Sequence, residues 1–328
     1  MKKKLALVTG GYSGEAEISY KSAATISNNL DTDRFDVFQI DVRPDGWFYT
    51  SKSGQKSEVD RADFSIHDNG AKVNFDVVFV GMHGTPGEDG KLLGYFDMLG
   101  LPYTCCDATT SALTFNKRYT VAVAAMAGIP VAPSAHLFKN SEVDITEILK
   151  VLKLPYFVKP NNGGSSIGMS KVNKAEELQA ALDKAFREDD QVLVEQMITG
   201  REFTVGVFKS GNEIQVLPIT EIVSHKEFFD FEAKYQGHST ETTPAAIPET
   251  WKTKLEQTSK KIYQVFNCRG VVRIDFIYSD QDDCPFVLEI NTIPGQTDAS
   301  VIPQQVRAKG WSLKEFYTGI VEQALNNK

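Results

Sequence analysis

The chain has 328 residues, 41% hydrophobic and 24% charged, with 35 basic against 43 acidic side chains and a formal net charge of −8. That length is comfortable for two or three domains, and the acidic balance excludes a non-specific nucleic-acid coat, whose phosphate-tracking surface is basic. No apolar stretch approaches the roughly 18 residues that span a membrane. The apolar run after the opening lysines ends at Thr9 and two glycines, which reads as a first buried strand and not as a signal peptide. Cys105, Cys106, Cys268 and Cys284 have no metal spacing and read as the reduced thiols of a cytoplasmic protein.

In chain order, LALVTGG (5–11) is a strand ending in glycines, and EAEISYKSAATISNNL (15–30) has apolar positions three and four apart, as a helix does. FDVFQIDV (35–42) and FDVVFVGMHG (75–84) are further strands, and LLGYFDMLGLPYT (92–104) is a helix followed by a strand. This alternation predicts a parallel, helix-flanked sheet with functional loops at the strands' carboxyl ends, where GGYSGE and HGTPGEDG both lie. Residues 111–127 read as one helix, stopped by Gly128 and Pro130. Strand LPYFVKP, a glycine-rich loop, strand GMSKV, helix KAEELQAALDKAF and strand QVLVEQMI then make an α+β unit. From Gly200 strands dominate, interrupted by a polar, aromatic-rich stretch whose weak periodicity predicts a lid over 228–243. A helix over 249–267 leads into the last strands. The expected domains are 1–105, 106–195 and 196–328.

Those last strands carry the clearest chemistry. In VVRIDFIY (271–278) and PFVLEINTIPG (285–295), residues two apart share a face, so Arg273 projects with Asp275 and Glu289 with Asn291. The intervening SDQDDC reads as a turn that folds one strand back on the other. Two carboxylates and a carboxamide on one face suit a hard divalent ion such as Mg²⁺ beside nucleotide phosphates. The arginine is the group wanted against charge developing on a transferred phosphoryl.

FVKPNNGGSSIGMSKV (157–172) is the second strong signal. Gly163 and Gly164 let the backbone approach an anion, Ser165 and Ser166 can donate to phosphate oxygens, and Lys159 precedes them. The GK[ST] ending of a P-loop is absent. In VLVEQMITGREFTV (192–205), backbone groups of Gln196 and Ile198 can meet an adenine edge, while Glu195 and Glu202 flank the turn. A nearby carboxylate can accept both ribose hydroxyls, although glutamates beside a turn are by themselves usually only solvated. Glu15 opens a helix, where a carboxylate either compensates the helix dipole or captures a substrate ammonium. His83 is a loop histidine at a strand end, on the substrate side. GxGxxG spacing is not met.

Taken together and in this order, GGYSGEAEIS, HGTPGEDG, FNK, FVKPNNGGSSIGMSKV, VEQMITGREFTV, FEAKY, RIDF and LEINTIPGQTDASVIP resemble the D-alanine–D-alanine ligases of the ATP-grasp superfamily, over nearly the whole chain. The resemblance implies a three-domain α/β and α+β ATP-grasp fold with an N-terminal parallel-sheet domain. It further implies ATP-dependent joining of two D-alanines, in a homodimer that binds neither nucleic acid nor membrane. By resemblance, Lys117 and Lys159 contact the ATP phosphates under the Gly163–Ser166 loop, Glu195, Gln196 and Ile198 face adenine, and Glu202 faces the ribose. Asp275, Glu289 and Asn291 hold two Mg²⁺, for which Mn²⁺ can substitute. Glu15, with Ser165 and Tyr235, serves the first D-alanine; Arg273 and the Gly295 amide face the tetrahedral intermediate. His83, Ser300 and Val301 belong to substrate binding, Ser300 receiving the second carboxylate. Tyr235 favours a dipeptide over a D-lactate ester. Phe229, Phe231, Gln196, Met197 and Ile293 depart from the family's commonest residues without touching those assigned to chemistry.

Overall fold

The computed structural model of the protein describes residues 2–141, 145–164, 167–224 and 239–326. Its first sheet has the parallel centre that the sequence predicts: Lys3–Gly10 lies between Phe35–Arg43 and Val77–Val80, parallel to both. The sheet then continues beyond Phe35–Arg43 into antiparallel strands Gly46–Thr50 and Lys56–Glu58. These were not expected, because both are short and only the two-residue turn Pro44-Asp45 announces them. After helix Lys91–Leu99 the expected strand reduces to one parallel bridge, Val78 to Tyr103.

The long helix expected from residue 111 is two helices, Ala108–Phe115 and Lys117–Met126. Asn116 breaks them: its backbone is extended, and its side chain accepts the Tyr119 amide, so it caps the second helix. A four-stranded antiparallel sheet follows, in the order Ser170–Val172, Tyr156–Pro160, Gln191–Gln196, Ser134–Phe138. Tyr156, Val158, Val192 and Val194 point from one face into a core of their own with Leu178 and Leu182 of helix Leu178–Ala185. The opposite face therefore carries Lys159, Leu193 and Glu195.

The third sheet is antiparallel: Ser239–Thr242, Thr220–Ser224, Arg201–Ser210, Val271–Ser279 and Cys284–Asn291, with Glu213–Val216 also against Arg201–Ser210. The apolar run EIQVLPITEIV (213–223) forms two strands, split around Pro218, which has no amide for a ladder. Val272, Ile274, Phe276 and Tyr278 enter a core with Leu255 and Ile262 of helix Glu249–Val265, which leaves Arg273 and Asp275 on the other face.

The two ends of the chain share one core. Leu5, Leu7, Ile26 and Phe79 pack with Val271, Ile302, Val306, Phe316 and Tyr317, the last four from helices Val301–Ala308 and Leu313–Asn326. Each such side chain contributes about 2 kcal/mol on burial, so the first sheet and the last strands are held in one fixed relation. A second clasp lies at Gly270, where φ is +62° and an added Cβ would fall 1.9 Å from the Thr104 carbonyl oxygen. The Gly270 carbonyl in turn accepts from Tyr263 at 2.8 Å. Gly270→Ala is expected to cost about 3 kcal/mol or more, read as a lowered midpoint in urea unfolding.

Candidate active site

The antiparallel register sets Asp275 directly opposite Glu289 and Arg273 opposite Asn291. A bulge follows, since the next pair is Phe276 with Val287, and it bends the strand beside the acidic pair. Arg273 grips Asp275 with two parallel bonds, Nε to Oδ1 at 2.9 Å and an Nη to Oδ2 at 2.8 Å, and stands 3.7 Å from Glu289. Thr204, across the strand, donates to Asp275 Oδ1 at 2.5 Å, and Asn291 Nδ2 donates to Oδ2 at 3.2 Å. Burial opposes the Arg273 charge, but Asp275, then Glu289 and Glu88, outweigh it and hold the guanidinium firmly protonated. Glu202 lies on the same face, two residues before Thr204.

The donors fit a hard divalent ion in kind: two carboxylates and an amide oxygen on one face. Among the described residues no group of three His, Cys, Asp or Glu side chains converges as a ready cage. Asp275 accepts four hydrogen bonds, which fills its acceptor sites. Binding metal through Asp275 would therefore need one of these donors to give way, whereas the Asn291 oxygen is not used in its bond to Asp275.

The glycine loop approaches from the second sheet. Lys117 Nζ donates to the Gly163 carbonyl at 2.7 Å, and Asn162 is tied to Asp189 through both its backbone and its side-chain amide. Gly164 runs so close to Glu15 that an added Cβ would lie 3.0 Å from the carboxylate, and one on Gly84 would lie 2.7 Å from it. Glu15 sits at the cap position of helix Ala16–Asn29 and makes no side-chain capping bond. Its carboxylate turns into the cleft between two glycine-bearing loops instead. Ser165, Ser166, Tyr235 and the expected lid as far as residue 238 lie outside the described residues.

Lys159 and Glu195 meet at 2.5 Å, both largely buried. The Gln196 amide donates to Pro133 and that of Met197 to Pro155, while the Gln196 side chain accepts the Lys153 amide. At the far end, Ser300 stands at the N-cap position of helix Val301–Ala308 without a side-chain capping bond, its hydroxyl lying against Gly295, where a Cβ would fall 2.9 Å away. Ser300 Oγ also accepts the Thr297 amide at 3.1 Å.

His83 proves to be a buried strut. Its Nδ1 donates to the Ile293 carbonyl at 2.9 Å, so Nε2 is the acceptor for the Ser22 hydroxyl at 3.0 Å, and Ser22 accepts the Gln296 amide. Glu88 is the carboxylate that sequence reasoning missed, although it stands within the HGTPGEDG motif. It accepts the Gly84 amide at 2.7 Å, and burial, then repulsion from Glu15, raises it to about 8.

Sequence profiles for the D-ala D-ala ligase N-terminus and C-terminus match residues 4–106 and 123–322. The chain belongs to the D-alanine–D-alanine ligase family. It is 45% identical to a D-alanine–D-alanine ligase of Flavobacterium johnsoniae, over 98% of this chain and 99% of that one. Among solved structures it is similar to the VanG D-Ala:D-Ser ligase of Enterococcus faecalis (TM-score 0.89, 30% identity, 99% and 100% of the chains). It is also similar to D-alanyl-alanine synthetase A of Vibrio cholerae (TM-score 0.88, 28% identity, 99% of each). Both likenesses extend to the mixed fold, with its partly parallel first sheet. No described helix of this ligase-family chain is long and apolar enough to cross a membrane.

Burial pushes His83 down to about 4. In the unfolded chain it titrates near 6.5, so the unfolded state binds the extra proton between those values. Its contribution is therefore full above pH 6.5 and is lost as pH falls towards 4, by about 3 kcal/mol. Glu88, being raised, does not share that window's sign. The His83 share is therefore read as a difference between proteins: from pH 7 to pH 4.5 the urea-unfolding stability of the native protein should fall by about 2–3 kcal/mol relative to that of His83→Gln.

Proposed function

We propose that this protein joins two molecules of D-alanine into D-alanyl-D-alanine, converting ATP to ADP and phosphate through an acyl phosphate, for peptidoglycan precursor synthesis. The observation that carries the reading is the Glu15 carboxylate pressed against Gly164. It puts a group able to hold a substrate ammonium beside a loop whose backbone suits phosphate, so a carboxylate and a γ-phosphoryl would meet there.

A carboxylate is a poor acylating agent, so its oxygen would first take the γ-phosphoryl from ATP. The neutral amine of the second D-alanine would then attack the acyl carbon, and phosphate would leave. Glu15 would hold the first ammonium, with Ser165 and Tyr235 completing its hydrogen-bonded group. Lys117 and Lys159 would turn to the phosphates beneath the loop of Gly163, Gly164, Ser165 and Ser166, Lys159 leaving its partner Glu195 to do so. Glu195, Gln196 and Ile198 would face adenine, and Glu202 the ribose. Arg273 and the Gly295 amide would meet the oxyanion of the tetrahedral intermediate. Ser300 and Val301, at the positive end of their helix, would take the second carboxylate, while His83 would hold the 293–296 segment in place.

Two Mg²⁺ held by Asp275, Glu289 and Asn291 would neutralise charge on the phosphate oxygens when bound. The units 1–105, 106–195 and 196–328 are taken as the three domains, supported by one main sheet in each. A homodimer and a cytoplasmic location complete the reading, the second supported by the use of ATP.

Phosphate release from Mg-ATP with D-alanine alone, accompanied by dipeptide, is the expected result. Little release until D-serine or D-lactate is added would reassign the second substrate, and silence throughout would sink the proposal. Arg273→Ala should lower kcat/KM by roughly a thousandfold with the ATP Kd, read by isothermal titration, nearly unchanged. Equal loss of ATP binding would make Arg273 structural only.

A further inference from the structure

The strand Arg201–Ser210 has a gap in its pairing. One neighbour, Thr220–Ser224, pairs with residues 202–204, and the other, Glu213–Val216, pairs with 207–210. Between them neither ladder reaches the Gly206 amide: the Gly206 carbonyl still accepts the Leu217 amide at 2.8 Å, but the Gly206 amide takes its acceptor from outside the sheet. Gln305, wholly buried on helix Val301–Ala308, fills the gap. Its Oε1 accepts the Gly206 amide, and its Nε2 donates to the Thr204 carbonyl and to the Thr220 hydroxyl, all at 3.0 Å. One side-chain amide stands in for the missing strand. Gly206 makes the approach possible, since a Cβ there would lie 2.5 Å from Oε1.

The space is otherwise apolar, since Ile302, Val306, Phe208 and Leu217 belong to the same shared core, so the Gly206 amide depends on Gln305 for its acceptor. What a carboxamide adds is direction. From Thr204 the connection runs through its hydroxyl to Asp275 at 2.5 Å and so to Arg273. From Thr220 it runs to the Thr243 hydroxyl at 2.6 Å. At the helix end, the neighbouring Gln304 donates to Glu241 and to the Ala299 carbonyl, both at 2.7 Å, and its own amide bonds the Ser300 carbonyl.

We propose that Gln305 is a positioning residue that locks the Ser300–Val301 helix start to the strand supporting Asp275 and Arg273, so that the second substrate's carboxylate is held at a set distance from the reacting centre. The inference rests on the function proposed above. Gln305→Leu and the shape-matched Gln305→Met both remove the hydrogen bonds, and Met keeps most of the packing. Each should raise the weaker of the two D-alanine KM values about tenfold, as expected for an unpaired buried amide and a shifted subsite, with the ATP Kd within about twofold. Wild-type behaviour of Gln305→Met would make the residue packing only and overturn the proposal, as would an equal loss of ATP affinity. Amide hydrogen exchange needs no turnover: at Gly206 and at Gln304 it should quicken together in Gln305→Met. Unchanged protection would overturn the lock even if the protein failed to use D-alanine, whereas quickened exchange without turnover would leave the lock standing and remove the substrate assignment.

Discussion

Everything at the cleft hangs on the ion pair between Arg273 and Asp275. Two full charges in a half-buried sheet face are costly unless every lone pair and donor is matched. Here Asp275 takes two bonds from Arg273 and one each from Thr204 and Asn291. The pair in turn dictates its surroundings. A threonine must stand across the strand, an amide must stand opposite the arginine, and the second carboxylate, Glu289, must stay near enough to favour the guanidinium. The opposite face can then be wholly apolar, which is where Val272, Ile274 and Phe276 go.

The same constraint explains why the cleft needs rigid walls. Glu15 and the Arg273 face come from opposite ends of the chain, and their relation is set by the core that Leu5, Leu7 and Phe79 share with Val306, Phe316 and Tyr317. His83 adds a polar strut across the same boundary, kept neutral by burial and aimed by the Ile293 carbonyl. Close approach is then a matter of glycines. Gly84 and Gly164 admit the Glu15 carboxylate where any side chain would crowd it, and Gly295 does the same for Ser300. Lys117 is held by the Gly163 carbonyl and Lys159 by Glu195, so both cations have protein partners in this structure.

Much of this was legible in the sequence. Alternation placed Arg273 with Asp275 and Glu289 with Asn291, because a strand has no freedom in where successive side chains point, while the register of the two strands brought the pairs onto one face. The glycine-rich segment and the parallel centre of the first sheet were legible for similar local reasons. Local signals failed at Asn116, where a capping side chain splits one apolar pattern into two helices, and at the short strands Gly46–Thr50 and Lys56–Glu58, too brief for a period to show. Glu88 was passed over although HGTPGEDG was singled out, because its burial and the influence of Glu15 arise only in the folded chain.

Sequence by itself determined the order of the longer elements, which residues of a strand share a face, the family and the residue types of the candidate site. Only the tertiary structure decided which distant groups meet: Glu15 with Gly164, His83 with Ile293, Glu88 under the influence of Glu15, and Gln305 in the gap of a strand a hundred residues away. Periodicity is a property of neighbours along the chain and survives in the sequence. Burial, repulsion and hydrogen-bond completion depend on which surfaces pack together, and these exist only once the shared core has formed.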